Sequence, residues 1–450
     1  MIEKEWLAQQ AGRVRKADAI DPALYRKYNV KRGLRNDDGT GVLVGLTTIG
    51  NVHGYVMNEG EKQPIPGELY YRGINVRDIV DADRREHRFG YEETAYLLLF
   101  GELPTARELV DWKAKLGSYR RLSDGFKEDA IMRHPSKDIM NDIARAVLFA
   151  YAYDEGDQPD DLSIEKCLAQ SIEMIGALPT IAAYAYQAKA HYHDGASLLI
   201  RNPDPRKSTA ENFLSLIRED GRCTKLEAEV LDLALILHAE HGGGNNSSFT
   251  THVVTSAFTD IYSSIACSIL SLKGLRHGGA NLKVMRQMDE IKAKVTNWRN
   301  ERAVVQYLEK IADRKAGDHT GLIYGLGHAV YTVSDPRAQM LRAKAEKLAR
   351  EKRREDEMRL FETIEERGPA IIKARHPRAE DVCANVDLYS GFVYDMLGIP
   401  KELYTPLFAV ARCVSWCAHR MEELINQGPI IRPAYKPIFH PRDYVSLKSR

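Results

Sequence analysis

From Phe89 onward the apolar residues recur at helical rather than strand spacing, and this restricts the chain to a mainly α fold. Within Phe89 to Trp112, Glu93, Tyr96, Leu97 and Phe100 share helical spacing, and Leu103-Pro104-Thr105 opens the next helix. Asp142 to Tyr153, Ile164 to Ala190 and Ala210 to Arg218 continue the pattern. Strand-like composition is confined to Gly41 to Met57 and, after a proline-rich turn, Gly67 to Gly73, which predicts two or three short strands near the amino terminus. The first forty residues read as a polar arm of short helices, the second running from Asp21-Pro22 to Lys31-Arg32-Gly33. A dense mixed-charge run, Arg350 to Glu357, is expected to be the solvated face of a helix that stops at Gly368-Pro369.

A chain of 450 residues can bury a large core in two or three domains or one large one. Its 64 basic and 63 acidic side chains nearly cancel, so neither a nucleic acid nor a membrane surface is an expected partner. An anionic ligand must then be met by individually placed arginines. The six cysteines lack CxxC spacing, which argues for a reducing compartment and against a zinc site. The start, MIEKEWLAQQ, has no leader pattern, and no apolar run approaches a membrane span, so the expected place is the cytoplasm.

Four stretches concentrate chemistry. In Gly321 to Arg337, Gly325 and Gly327 allow a tight backbone that presents His328, and Asp335-Pro336 starts a helix with Asp335 as its N-cap. Arg337 then lies in a first helical turn, where a cation opposes the helix dipole, so an anionic partner is the better explanation. An ordinary glycine turn before a helix is the competing reading. Leu231 to Leu237 runs into His238, Glu240 and His241; on a helix the two histidines would share a face, but no third metal ligand is evident, and no metal is expected. The serine- and alanine-rich helix Phe258 to Lys273 delivers the chain to His277, again beside glycines. Asp387 sits among apolar neighbours, as either a base of raised proton affinity or a helix cap. Arg412, within an apolar helix, and Arg432 each need an anion.

Taken together these residues resemble the citrate synthase family, from about Gly67 to Tyr435. HAEHGGGN is similar to the family's oxaloacetate-contacting loop, LKGLRHGGAN to the segment with its first catalytic histidine, GLGHAVYTVSDPR to the second histidine with its arginine, and NVDLYSG to the catalytic aspartate. The resemblance implies a two-domain helical fold. Residues 1–276 and 389–450 would form the large domain, with 1–40 as an arm, and 277–388 a small mobile domain. It implies His277, His328 and Asp387 as catalytic residues and His241, Arg337, Arg412 and Arg432 as substrate-binding ones. Leu322, Ile323, Gly325, Gly327 and Asn385 would line the CoA thioester, a co-substrate rather than a bound cofactor. A homodimer is implied, Arg432 reaching the neighbouring subunit's site. The activity implied is condensation of acetyl-CoA with oxaloacetate, with 2-methylcitrate synthesis from propionyl-CoA and a non-catalytic CoA or dicarboxylate sensor as alternatives. Gly242, Leu275 and Thr332 depart from common family residues, and Thr332 stands where a basic residue often meets a CoA phosphate.

Overall fold

The computed structural model describes residues 4–37, 39–59, 61–154, 156, 158–377 and 381–450; residues 1–3 of the arm and 378–380 of the anticipated small domain lie outside these. The chain forms two compact units, Met1–Leu46 and Thr47–Arg450. In the first, α1 (Lys4–Ala17) and α2 (Pro22–Lys27) bury no residue. Asp21 caps α2 as its sequence implies, accepting from the Ala23 amide at 2.9 Å. The helix ends earlier than Lys31, because Asn29 turns left-handed (φ 52°), and Arg32–Leu34 forms a separate 3-10 turn.

The second unit begins with β1 (Gly50–Asn58), β2 (Glu61–Tyr71) and β3 (Ile74–Asn75), a three-stranded antiparallel sheet in that order. The expected proline-rich turn is instead part of β2. Pro64 lies opposite Tyr55, where the register with β1 shifts, and β3 pairs only with Tyr70 and Tyr71, so neither Pro64 nor Pro66 has to donate to a third strand.

Helices follow: α3 (Val76–Glu86), α4 (Tyr91–Phe100), α5 (Ala106–Tyr119), α6 (Ile139–Phe149), α7 (Ile164–Asp194), α8 (Thr209–Ile217) and α9 (Lys225–His238). Next come α10 (Asn246–Thr255), α11 (Ile261–Lys273), α12 (Ala280–Lys294), α13 (Glu301–Ala312), α14 (Pro336–Lys352), α15 (Glu355–Arg375), α16 (Val386–Met396) and α17 (Tyr404–Asn426). The mainly α fold with a few amino-terminal strands is thus present. Thr105, Ser208 and Thr224 each form a capping box with the glutamate three residues on, which is why α5, α8 and α9 begin where they do.

α17 is the axis of the core: buried along most of its length, it packs on α4, α7, α9, α10 and α11. A second cluster joins α14 to α9, α15 and α16, and α16 also packs on α9. The charged run is a junction rather than one solvated face. Arg353 (φ 54°) ends α14, and Arg354 bridges Glu357 and Asp395, each at 2.6 Å, tying α15 to α16. α15 also continues through Gly368-Pro369 to Arg375, because Phe361, Ile364 and Ile371 are buried on either side and outweigh one lost backbone bond. No helix among the described residues is long and apolar enough to cross a membrane.

Candidate active site

Four chain segments meet at the end of α9. That helix closes at His238, so His241 lies beyond it and the two histidines do not share a helical face. His238 is fully buried and stacked on Phe408 (4.2 Å between centroids), with no hydrogen bond to either ring nitrogen, while its carbonyl accepts from Arg412 Nε at 2.7 Å. His241 Nε2 is likewise buried without a partner, its ring edge-on to His328 at 5.1 Å. Burial, reinforced by Arg337, pushes the proton affinity of both His238 and His241 well below the usual histidine range, so both rings are neutral near pH 7. The turn beyond them is clamped by β2, whose Tyr71 hydroxyl donates to the Ile236 carbonyl at 2.7 Å and to that of Glu240 at 3.3 Å.

His277 follows α11 in a turn. Its Nε2 lies 3.1 Å from the Ser247 hydroxyl and 3.3 Å from the Ser247 amide, and as the acceptor of that amide it is assigned no proton, which places the ring proton on Nδ1. Burial and then Arg412 push its pKa down to about 4. His328 has the opposite tautomer: the amides of Val330 and Tyr331 both donate to Nδ1 at 3.1 Å, so Nε2 carries the proton. Its ring stacks on Tyr331 (4.7 Å), whose hydroxyl in turn donates to the Glu68 carbonyl on β2.

The His328 loop is bonded to the segment that leads into α16. The Gly327 amide donates to the Cys383 carbonyl (2.8 Å), the Asn385 amide to the Gly325 carbonyl (2.9 Å) and Asn385 Nδ2 to the Gly327 carbonyl (2.8 Å). Gly325 and Gly327 hold φ of 88° and 92°, which a side-chain-bearing residue rarely adopts. Asn385, not Asp387, caps α16, with Oδ1 accepting from the Asp387 amide at 3.0 Å. Asp387 stands in the first turn, where burial raises its pKa to about 6 against the opposing pull of Arg337.

Asp335, expected from its sequence context only as a cap, is a hub. Its two oxygens accept from Arg337 Nε (3.1 Å), Arg337 Nη2 (2.8 Å), the Arg337 amide (2.9 Å) and the Val386 amide (3.2 Å). Asp335 therefore supplies Arg337 with one anionic partner inside the chain, through Nε and Nη2, and Nη1 takes no part in that pair. Arg337 is buried, and although burial opposes its charge, Asp335 holds its pKa above the usual arginine value. Arg412 contrasts with it. Fully buried, with Nη1 and Nη2 unpartnered, it is pushed down to about 10 by desolvation. Ser247 and Tyr331, which fix the two tautomers, are not anticipated either, since nothing local marks the backbone amides that do so.

Other anticipated residues sit less simply. Arg432 is exposed in the segment after α17. Ile323 is buried in the core, so only its backbone can meet a ligand, whereas the Leu322 side chain is exposed and its carbonyl accepts from Gln287 at 2.9 Å. Thr332 is buried with its hydroxyl unpartnered.

The described family "Citrate synthase, C-terminal domain" matches residues 38–434. Citrate synthase of Deinococcus radiodurans is 34% identical over 387 residues, covering 85% of this chain and 93% of that one. The 2-methylcitrate synthase 1 of Corynebacterium glutamicum is 31% identical over 430 residues, 94% and 98% of the two chains. Among solved structures, the ternary complex of carboxymethyl coenzyme A and oxaloacetate with citrate synthase from Thermoplasma acidophilum is similar with a TM-score of 0.76 and 27% identity, over 94% of this chain and 99% of that one. With a family match over most of its length and relatives above 30% identity, the chain belongs to the citrate synthase family and is an acyltransferase of the kind that converts acyl groups into alkyl groups on transfer.

Proposed function

We propose that this chain is a citrate synthase, condensing acetyl-CoA with oxaloacetate and hydrolysing the resulting thioester. The observation that carries the reading is the set of buried groups without hydrogen-bond partners in the chain, Arg412 Nη1 and Nη2, His241 Nε2 and the His238 ring, which share the field of Arg337 with Asp387, a carboxyl of raised pKa. A buried guanidinium with two free donors suits a carboxylate presented edge-on. His241, Arg337 and Arg412 bind oxaloacetate, and Arg432 completes the site from the neighbouring subunit of a homodimer.

A thioester methyl is far less acidic than a carboxylic acid, so a base alone cannot enolise it; the oxygen must be stabilised as charge develops. Asp387 removes the proton, its raised pKa narrowing the mismatch. The Nδ1 proton of His277 is donated to the thioester oxygen, and the Nε2 proton of His328 to the ketone of oxaloacetate. The enol carbon then attacks that ketone. Both tautomers support these directions, and a low pKa at His277 favours a neutral donor. Residues 277–388 act as a small domain closing over the substrates about hinges near Gly274 and Asn385, and Leu322, Ile323, Gly325, Gly327 and Asn385 line the CoA. The six free cysteines fit a cytoplasmic setting.

The relatives include 2-methylcitrate synthases, so propionyl-CoA is the second reading. One methylene separates the two substrates and is worth about 1–3 kcal/mol. Thiol release measured with each acyl-CoA and oxaloacetate decides: a higher kcat/KM for acetyl-CoA supports the proposal, and a higher value for propionyl-CoA overturns it in favour of the methylcitrate reaction. No release with either would leave a non-catalytic binder.

A further inference from the structure

Behind the His241 turn, on the far side of Glu240, lies a group of side chains that the proposed reaction does not use. His252 on α10 and His419 on α17 face each other, Nε2 to Nδ1, at 3.1 Å. The outward nitrogen of each ring is held by a carboxylate: His252 Nδ1 by Glu423 Oε2 at 2.8 Å, His419 Nε2 by Glu240 Oε2 at 3.2 Å. A third oxygen points at the same place. Glu422 Oε2 is buried, makes no hydrogen bond, and lies 3.8 Å from His419 Nδ1. Its other oxygen is fixed by the Thr48 amide (2.7 Å) and hydroxyl (2.9 Å), so the carboxylate cannot simply turn away.

Two ring nitrogens at this separation require something positive between them, a shared proton or a cation. Four features favour the cation. Ligands at ~2.0–2.2 Å from one tetrahedral ion stand about 3.3 Å apart, close to the observed nitrogen spacing. The three candidate ligand atoms all lie within 4.8 Å of one another, the arrangement found here among the described residues. A proton bridging the two nitrogens meets Glu422 Oε2 only as an ion pair at 3.8 Å, beyond hydrogen-bond reach, whereas an ion can bind all three atoms directly. Carboxylates on the outward nitrogens are also what orient metal-ligating histidines and raise their basicity. Two histidines with one carboxylate suit a borderline divalent ion of the zinc type rather than calcium or magnesium, which take oxygen ligands. His252 and Glu422 keep 13% and 11% of their side-chain surface exposed, which gives the ion a path in.

We propose that His252, His419 and Glu422 form a binding site for one zinc-type divalent cation, tying α10 to α17 beneath the turn that carries His241. The ion takes no part in the condensation, so the site stands or falls independently of the acyl-CoA reading.

Cobalt(II) is the probe, because a tetrahedral site with imidazole ligands gives it strong visible absorption. Tag-free protein stripped with chelator is titrated with cobalt(II) and then zinc(II), alongside His252→Gln and Glu422→Gln. The expected result is visible absorption saturating at one equivalent per chain, displacement by zinc, and a rise in Tm with zinc. Both variants lose the absorption and the Tm rise while keeping the wild-type circular dichroism. Absence of visible absorption, with Tm unmoved by zinc, means that a proton alone bridges the rings and overturns the proposal. Absorption that survives in both folded variants overturns it equally, since the ion then sits elsewhere.

Discussion

Asp335 and Arg337, two residues apart, form a bidentate ion pair with both side chains buried, and the same carboxylate caps α14 and accepts the first amide of α16. One acid therefore fixes where the arginine points and how the helices bearing Arg337 and Asp387 meet. Removing its charge alone leaves a buried guanidinium with only the weaker field of Asp387 to offset it. Asp335→Asn, which retains a capping oxygen, is expected to lower stability by about 3–5 kcal/mol, read from urea unfolding. A loss below about 1 kcal/mol would mean that solvent reaches Arg337 in the folded chain.

Asp387 carries the pH dependence. It must be ionised to act as a base, so kcat/KM is expected to fall as pH drops through about 6. Its effect on stability has the opposite sense. A carboxyl whose folded pKa exceeds its unfolded one destabilises the fold when ionised, fully above about 6, and this penalty disappears as pH falls toward 3.8. Asp387→Asn should abolish turnover yet stabilise the protein at pH 8 by at most about 3 kcal/mol, a gain that vanishes near pH 4. Thermal unfolding at the two pH values measures it; equal Tm differences at both would show that the carboxyl is not desolvated.

Arg412 is held by one bond, Nε to the His238 carbonyl, with its terminal nitrogens unpartnered. Replacing it with methionine removes a buried charge whose terminal nitrogens have no hydrogen-bond partner and which the field of Glu240 and the Phe408 ring face only partly offset, so stability should change by less than about 1 kcal/mol or increase. Binding should respond differently. Loss of a desolvated charge pair with oxaloacetate is worth about 2–4 kcal/mol, roughly 30- to 1000-fold in kcat/KM for oxaloacetate. Steady-state kinetics of Arg412→Met that match wild type would remove Arg412 from the binding role.

Gly325 and Gly327 share a left-handed backbone but differ in surroundings. A Cβ on Gly325 would come 2.8 Å from Leu388 Cδ1 and 3.1 Å from Leu388 Cα, while on Gly327 its nearest neighbour would be Val382 Cγ1 at 3.8 Å. Both alanine variants bear a backbone cost of about 1–3 kcal/mol. Gly325→Ala should lose clearly more stability than Gly327→Ala, because it also pushes the His328 loop off α16. Chemical denaturation of the two, compared directly, tests this.

Much of the architecture could be read along the chain because its causes are local. Helical spacing placed α4 to α8, capping boxes set three helix starts, and Asp21 and Asp335 were recognisable caps. The sequence was misleading where packing outweighs propensity. Buried Ile371 carries α15 past Gly368-Pro369, and the single partner of β2 over most of its length lets Pro64 and Pro66 sit within a strand.

The residue types of the candidate site, glycine-turn histidines, an aspartate among apolar neighbours and arginines in apolar helices, were likewise determined by the sequence. Their states were not. That Arg337 is already paired while Arg412 is not, that His277 and His328 carry their protons on different nitrogens, and that Asp387 is desolvated rather than a cap all depend on groups far away in the chain. Those contacts exist only once α9, α14, α16 and α17 have packed, because charge state and tautomer answer to distance and burial, which sequence neighbours do not set.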